Sequence, residues 1–478
     1  MRPTRLILRW YEMNNWDDRA LDVGREDIVD RYRQGLPAAA LRDIPEFGAF
    51  AVVVLGGGPA GIAAATTAAE LGHRTLLIER HGFLGGAAVS GMSGTICGLY
   101  MTVQEPRASQ PQQLIFGFAE RFRAALDAEG GLTRPQIYGK TWLVTHDCAK
   151  YKKVATDLVR SAGVHVLMHT QMIDAVVQDG AITGLILATT SGFTRVSANR
   201  VIDASGDAAA IFKMGLPTTK GHDGAIQNPT MMFKIGNVDL PRFLDYWGED
   251  TISPPKVVAM LEARPQLVRK KVWLFPTVNP GEVLVKATKI TGFDGRALDV
   301  TDPVDHTEAE QFSIYQARAV FSFLKADIPG CEDAYFIDYG AEVGVRQTRS
   351  IVGMQRLTNA DVIGKRKCAD SIARSSWPIE LHYGAKPKTE WLIDDYYEVP
   401  FHTLVPTQGR TLIVAGRCLS AEHEALASCR VTAQCFEYGR AAAIAADLSI
   451  HDRSDFQEVE PAQVVARMQT LDRFGAAA

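Results

Sequence analysis

The sequence has no Cys-x-x-Cys pair; its seven cysteines are scattered at positions 97, 148, 331, 368, 418, 429 and 435. That spacing argues against zinc ribbons, iron–sulfur clusters and thioredoxin-type redox pairs, all of which need closely set thiolates. An odd, dispersed set also argues against a disulfide framework and fits reduced thiols in a cytoplasm. No stretch reaches the roughly 20 apolar residues of a membrane span. The apolar part of the basic N-terminus, Leu6 to Leu8, is far short of a signal-peptide core. Excess charge is missing too: the formal net charge is −4 and no Lys/Arg cluster is long enough to track phosphates. The chain is therefore expected to be soluble and cytoplasmic, with neither a membrane nor a nucleic-acid partner.

With 478 residues, the chain exceeds one compact core, and two domains are expected. Residues 1–48 are polar and mixed, with a helix-like charged segment from Asp17 to Arg33, and read as an extension packed on the body, a candidate homo-oligomer contact. The valine-rich run Phe50 to Leu55 has the pattern of a strand buried on both faces. A glycine turn, an alanine-rich helix from about Pro59 to Leu71 and a second strand, Thr75 to Ile78, complete a β-turn-α-β unit. A helix is expected over 150–162, then strands near 164–168, 173–178, 182–189 and 194–202, with Asp179-Gly180 as a hairpin turn. A strand over 281–290 and a helix over 307–325 belong to a region of different character. Near the end come another buried strand, 410–415, and an alanine-rich helix from Val431 to Asp447.

The turn itself is Gly56-x-Gly58-x-x-Gly61 in strand–turn–helix context. Gly56 permits the tight turn, Gly58 lets backbone approach a pyrophosphate, and Gly61 lets the helix pack on the strand. The helix N-terminus directs its partial positive charge at the phosphates. Glu79 ends the second strand, where an acid accepts hydrogen bonds from a ribose.

Three further elements follow in order. Arg80-His81-Gly82-Phe83-Leu84-Gly85-Gly86-Ala87 is a second glycine-rich loop. Val201-Ile202-Asp203-Ala204-Ser205-Gly206-Asp207 is a strand ending in a small-residue turn. Thr411-Leu412-Ile413-Val414-Ala415-Gly416-Arg417 is another strand end, leading to Cys418-Leu419-Ser420-Ala421-Glu422-His423-Glu424-Ala425. In this order the segments resemble the FAD-dependent oxidoreductase family, kin to the FAD domain of heterodisulfide reductase and, more distantly, to the fumarate reductase and glutathione reductase class. Glu342 to Gly353 is similar to that family's G-x-R-E-S-R-x-I-x-G segment, with Gln347 where Glu is frequent. Tyr397-Glu398-Val399-Pro400-Phe401 is similar to its Y-x-I-P-Y stretch, with Phe401-His402 in place of Tyr-Arg.

The resemblance spans roughly residues 50 to 450 and implies non-covalent FAD and a redox reaction; it does not imply a substrate. It implies an α/β fold, a Rossmann-like FAD-binding domain of glutathione reductase/fumarate reductase type with an inserted α+β substrate domain. The corresponding division is an extension over 1–48, FAD-binding parts over 49–217 and 395–450, a substrate domain over 218–394 and a tail over 451–478. The cofactor contacts it implies are Gly56, Gly58, Pro59, Ala60, Gly61, Glu79, Arg80, Gly85, Gly86, Ala87, Ala204, Gly206, Asp207, Gly416, Arg417 and Val431. The helix from Val431 would direct its dipole at the flavin pyrimidine. No second G-x-G-x-x-G follows, so a dedicated nicotinamide domain is not expected.

Hydride transfer from substrate to flavin is the leading expectation. An electron-relay subunit of a larger complex and an NADPH-reduced monooxygenase are the alternatives. Flavin supplies the hydride chemistry, so the protein needs a base and a polarising charge. His423 and Glu424 read either as such a base or as loop-shaping hydrogen bonders. Arg430 reads as a clamp for a substrate carboxylate or a support for a flavin carbonyl. Cys97 reads as a redox thiol, a flavin linkage site or, preferentially, a small buried residue. Arg346 and Arg349, three apart, would face opposite sides of a regular strand, so at most one reaches the pocket. His382 and His402 read as structural, and Tyr396-Tyr397 as core or pocket wall.

Overall fold

A computed structural model describes residues 43–222, 225–292, 294–382 and 386–475. The Asp17 to Arg33 segment and most of the 1–48 extension lie outside the described residues.

The first strand, β1 (Glu46–Leu55), buries Val52, Val53 and Val54 completely, as a central parallel strand requires. It turns through Gly56 into α1 (Pro59–Glu70), and β2 (Thr75–Ile78) returns beside it. The helix is alanine-rich because it is covered on nearly all sides, with Ala60 to Ala68 buried. A Cβ on Gly61 would lie 1.7 Å from the Gly56 carbonyl oxygen, so only glycine lets helix and turn close together.

A short ribbon follows: β3 (Thr95–Ile96), β4 (Gln136–Tyr138) and β5 (Thr141–Thr145), with β5 in the middle. Helix α2 (Cys148–Ser161) is capped by Asp147, which accepts from the Lys150 N–H. The main sheet then continues through β6 (His165–Leu167), β7 (Gln171–Gln178), β8 (Ala181–Thr189) and β9 (Gly192–Asp203). Asp179 and Gly180 join β7 to β8 with φ of 51° and 76°, the two positive values a tight hairpin turn demands.

A second, antiparallel sheet is built from β10 (Met232–Gly236), β11 (Trp273–Pro276), β12 (Val283–Lys286) and, after the long helix α3 (Pro303–Asp327), β13 (Tyr335–Tyr339). Its two faces separate by alternation. Val283 and Val285 join a core with α3 side chains such as Ala317 and Phe323, whereas Leu284 turns the other way with Trp273, Phe275 and Met232 to meet Tyr138 and Trp377. Lys286, two residues beyond Leu284, shares that inner face. Side chains from Leu357 to Val399, including those of β14 (Ile379–Leu381), pack into the main core rather than this second one.

Strand β15 (Leu412–Val414) adds to the main sheet beside the C-terminal end of β9, giving six neighbours in the order β6-β2-β1-β9-β8-β7 with β15 also on β9. β6, β2, β1, the end of β9 and β15 are parallel; β7, β8 and the start of β9 form an antiparallel meander. Two helices follow, α4 (His423–Cys429) and α5 (Thr432–Asp452), the latter packed along α1. The segment expected as a tail carries α6 (Pro461–Gly475), whose Val464 and Met468 enter the main core.

Candidate functional site

The carboxyl ends of β1, β2, β9 and β15 open into one cleft of about 360 Å³. It runs from the Gly56 turn, past Glu79 and the 86–93 loop, to an inner chamber under the second sheet. Ligand crevices in open parallel sheets form at such strand ends.

At the outer end, α1 begins at Gly58 with no side-chain cap and no acid in its first turn, leaving backbone N–H groups and the helix dipole for an anion. Gly58 has an ordinary φ of −73°, and a Cβ there would meet nothing closer than the Gly86 Cα at 3.8 Å. Neither strain nor a protein neighbour requires glycine at this position; the volume a side chain would fill is cleft, where a pyrophosphate can lie against backbone. Glu79 accepts the Gly57 N–H on Oε2 at 2.7 Å and the His81 N–H on Oε1 at 2.8 Å, fixing a carboxylate that still has lone pairs for ribose hydroxyls. The residues present fit FAD.

Arg417 holds the turns around the cleft together. Its Nε donates to the Gly206 carbonyl at 2.8 Å, Nη1 to Val345 at 3.1 Å and Nη2 to Asp207 Oδ1 at 2.8 Å. Across the cleft, Glu342 accepts from Ser90 Oγ at 2.7 Å and from Arg80, with His81 Nε2 at 3.5 Å. Burial pushes its carboxyl up, but His81, Arg80 and Ser90 outweigh burial and bring it down to about 2. Val431 caps the N-terminus of α5 at the cleft wall, and the Ala433 N–H donates to the Cys97 carbonyl at 3.2 Å. Of the expected cofactor contacts, only Gly61 and Gly85 are not in the cleft lining; both sit behind it, and the Gly85 N–H donates to the Gly57 carbonyl.

The inner chamber contains a buried polar cluster. Tyr138 Oη donates to Glu380 Oε1 at 2.6 Å, Lys286 Nζ lies 3.5 Å from Glu380 Oε2, and His382 Nε2 lies 3.1 Å from the same oxygen. Arg269 Nη2 is 2.9 Å from His382 Nδ1. A guanidinium can only donate, so Nδ1 is the acceptor and Nε2 carries the proton that goes to Glu380. Burial and then the Arg346 charge hold His382 neutral, well below the usual histidine range. Glu380 stays ionised against its burial because Lys286 and His382 flank it. Burial lowers Lys286 to about 8, with Glu380 opposing and Arg346 adding to the fall.

Arg346 and Arg430 border the same chamber. Arg346 Nη1 donates to the Asn228 carbonyl at 2.6 Å, and Arg430 Nη2 to Gln227 Oε1 at 2.9 Å. Cys97 also faces the cleft; burial raises its thiol to about 11, so it is held protonated. Arg349 points elsewhere, stacked over Phe212 at 3.9 Å, so one arginine of the pair reaches the cleft.

His423 and Glu424 open α4 and are not among the residues that line the cleft; the His423 carbonyl accepts from Gln227 Nε2 at 3.5 Å, and Gln227 Oε1 accepts from Arg430. Glu424 instead lies 3.6 Å from Lys388. His402 and the Tyr396-Tyr397 pair are not part of the lining either, and Tyr397 is a core residue bonded to Ser428 Oγ at 2.8 Å. His382, expected as structural, is a member of the inner cluster. Lys286, Glu380, Tyr138 and Arg269 carried no recognisable motif; the one available signal was buried charge in short strands.

A family model described as FAD dependent oxidoreductase matches residues 51–469. No curated protein matches the chain. Among solved structures, a geranylgeranyl bacteriochlorophyll reductase-like protein from Thermoplasma acidophilum is 15% identical, with a TM-score of 0.44 over 89% of this chain and 83% of that one. A p-nitrophenol 4-monooxygenase from Pseudomonas putida is 12% identical, with a TM-score of 0.47 over 89% of each chain. A flavin-dependent brominase is 12% identical, with a TM-score of 0.46 over 90% and 85%.

Proposed function

We propose that this chain, which belongs to the FAD dependent oxidoreductase family, oxidises a small organic molecule in the inner chamber, as a dehydrogenase or oxidase. The observation that supports this reading is the continuity of one cleft from the Gly58 turn to the Lys286–Glu380–Tyr138 cluster. We read the sheet as the glutathione reductase/fumarate reductase variant, with FAD held by the Gly56–Gly61 turn, Glu79, the 86–87 loop and the turns at 204–207 and 416–417. Bound there, FAD supplies the acceptor for a hydride.

The chain's own residues then have distinct tasks. Lys286, at about 8, is the cluster member whose neutral amine is available near neutral pH, and it suits removal of the proton that must leave when a hydride does. Glu380 orients that amine, and Tyr138 and His382 hold Glu380 in place. Arg430 and the N-terminus of α5 make the adjacent wall electropositive, which favours negative charge developing beside it. Met232, Phe275 and Lys286 of the second sheet form one wall of the chamber.

The test is anaerobic mixing of the FAD-loaded protein with panels of small alcohols, amines and organic acids. Bleaching of the oxidised flavin absorbance by one class, without nicotinamide, supports the reading, and Lys286→Met should slow it on the order of 100-fold. Rapid bleaching by NADPH and by none of the organic compounds would overturn it.

A further inference from the structure

We infer that the molecule taken by the inner chamber is a small organic acid, its carboxylate received between Arg346 and Arg430 and its apolar body against Tyr138, Phe275 and Trp377; this rests on the reading of the chamber as the substrate site.

The argument is one of charge and partners. Three cations, Lys286, Arg346 and Arg430, line the chamber with Glu380 as the carboxylate among them, and a fourth, Arg269, stands behind His382. Glu380 is already taken by Lys286, His382 and Tyr138. The partners of the two arginines on the wall are neutral: a backbone carbonyl at Asn228 and a side-chain amide at Gln227, consecutive residues of one segment. Among the described residues no carboxylate oxygen lies within 4.0 Å of either guanidinium. Among the described residues, the buried Nε of Arg430 has no acceptor.

A buried guanidinium without a counter-charge is costly, and two facing one cavity repel each other as well. Burial, then repulsion from Arg430, lowers Arg346 to about 9, and burial lowers Arg430 to about 10; the Glu380 charge opposes both falls without cancelling them. A single negative charge on a reduced cofactor would leave guanidinium charge over. An incoming carboxylate meets the excess with the planar fork geometry that arginine offers and lysine does not. The aromatic part of the wall is uncharged: the Tyr138 ring packs against Trp377 with centroids 5.1 Å apart and planes tilted by 30°, and lies nearly parallel to Phe275 at 6.4 Å.

The test uses benzoate and benzamide, which share shape but not charge, titrated calorimetrically into the FAD-loaded protein while the flavin absorbance is followed. Benzoate should bind at least about ten times more tightly than benzamide. Arg346→Met and Arg430→Met should each remove that preference, so that benzoate binds no more tightly than benzamide to the same variant. Equal affinities in the unmodified protein, or no binding of benzoate, would overturn the inference without needing either variant to fold. Preferential benzoate binding that leaves the flavin spectrum unmoved would uphold the anion site and overturn the reading that it adjoins the cofactor.

Discussion

Tyr138 and Glu380, 242 positions apart in the chain, meet through a 2.6 Å hydrogen bond from the phenol to Oε1 of the carboxylate. The bond joins the 136–145 ribbon to the 379–381 strand directly beneath the second sheet. It also fixes the anion that pairs with Lys286. Removing the two partners should therefore have unequal effects. Tyr138→Phe deletes one donor to an acceptor that keeps Lys286 and His382, and should cost about 1–2 kcal/mol. Glu380→Gln removes the negative charge from a group of four cations, the buried Arg269 and Arg346 and the part-buried Lys286 and Arg430, and should cost about 3–5 kcal/mol. Denaturant unfolding of both variants checks this, and equal losses would show that Glu380 is not the electrostatic centre of the chamber.

The Gly58 and Gly61 positions separate cofactor binding from folding. Gly58→Ala introduces a methyl group with no protein atom nearer than 3.8 Å, at a φ alanine readily adopts. Thermal stability without cofactor should hold within about 1 kcal/mol, while FAD affinity falls on the order of tenfold or more. Gly61→Ala forces a Cβ to 1.7 Å from a backbone oxygen, so the folded state itself should be lost. Unchanged FAD affinity in Gly58→Ala, measured by fluorescence quenching, would mean that the pyrophosphate does not approach this backbone.

The contrast between these glycines and the inner cluster shows what local sequence can carry. The first β-turn-α-β unit was readable because all its determinants lie within about 30 residues: a valine run, a glycine turn and an alanine-rich helix whose ends fall at Pro59 and Glu70. Asp179-Gly180 was readable because few residues accept two successive positive φ values. Lys286 was not, although a strand was expected across it. The alternation of β12 is symmetrical in sequence, and only packing determines that Lys286, not Val285, reaches the cleft, on the face it shares with Leu284. His382 looked solitary although Glu380 stands two positions away, because Arg269, which fixes its tautomer, lies 113 positions away and nothing local marks the pair as buried. His423 and Glu424 drew attention through their nearness to a motif in sequence, and neither is among the residues that line the cleft.

The proton balance of Lys286 gives a pH dependence with a defined sign. Its ammonium titrates near 8 because burial and Arg346 outweigh the attraction of Glu380; Arg269, Cys97 and the Tyr138 and Trp273 rings complete its surroundings. If the neutral amine takes the substrate proton, flavin bleaching at saturating substrate should accelerate as pH rises through that titration. An anionic substrate shifts the inflection upward from about 8, because it favours the protonated amine. Stopped-flow rates between pH 6 and pH 10, ranges chosen about that value, should show the rise in the unmodified protein and a flat, slow profile in Lys286→Met. A rise of the same shape in Lys286→Met would assign the proton to another group.

Glu342 should make the cleft wall sensitive to acid, independently of any ligand. Its folded value of about 2 lies below the ordinary 4.5 of an unfolded glutamate, so the folded state binds fewer protons across that interval. The stabilisation is fully present above about 4.5 and is lost as pH falls towards 2. Its upper size is on the order of 3 kcal/mol from the shift itself; the exposure of Arg80 reduces the share carried by that partner. Glu342→Gln keeps the shape and the Ser90 hydrogen bond but has nothing to titrate. The variant should be less stable than the parent at pH 6, and the difference should shrink steadily below pH 4.5. A difference that stays constant to pH 3 in urea titrations would show that Glu342 acts by packing alone and that the Arg80–His81 side of the cleft is not held by its charge.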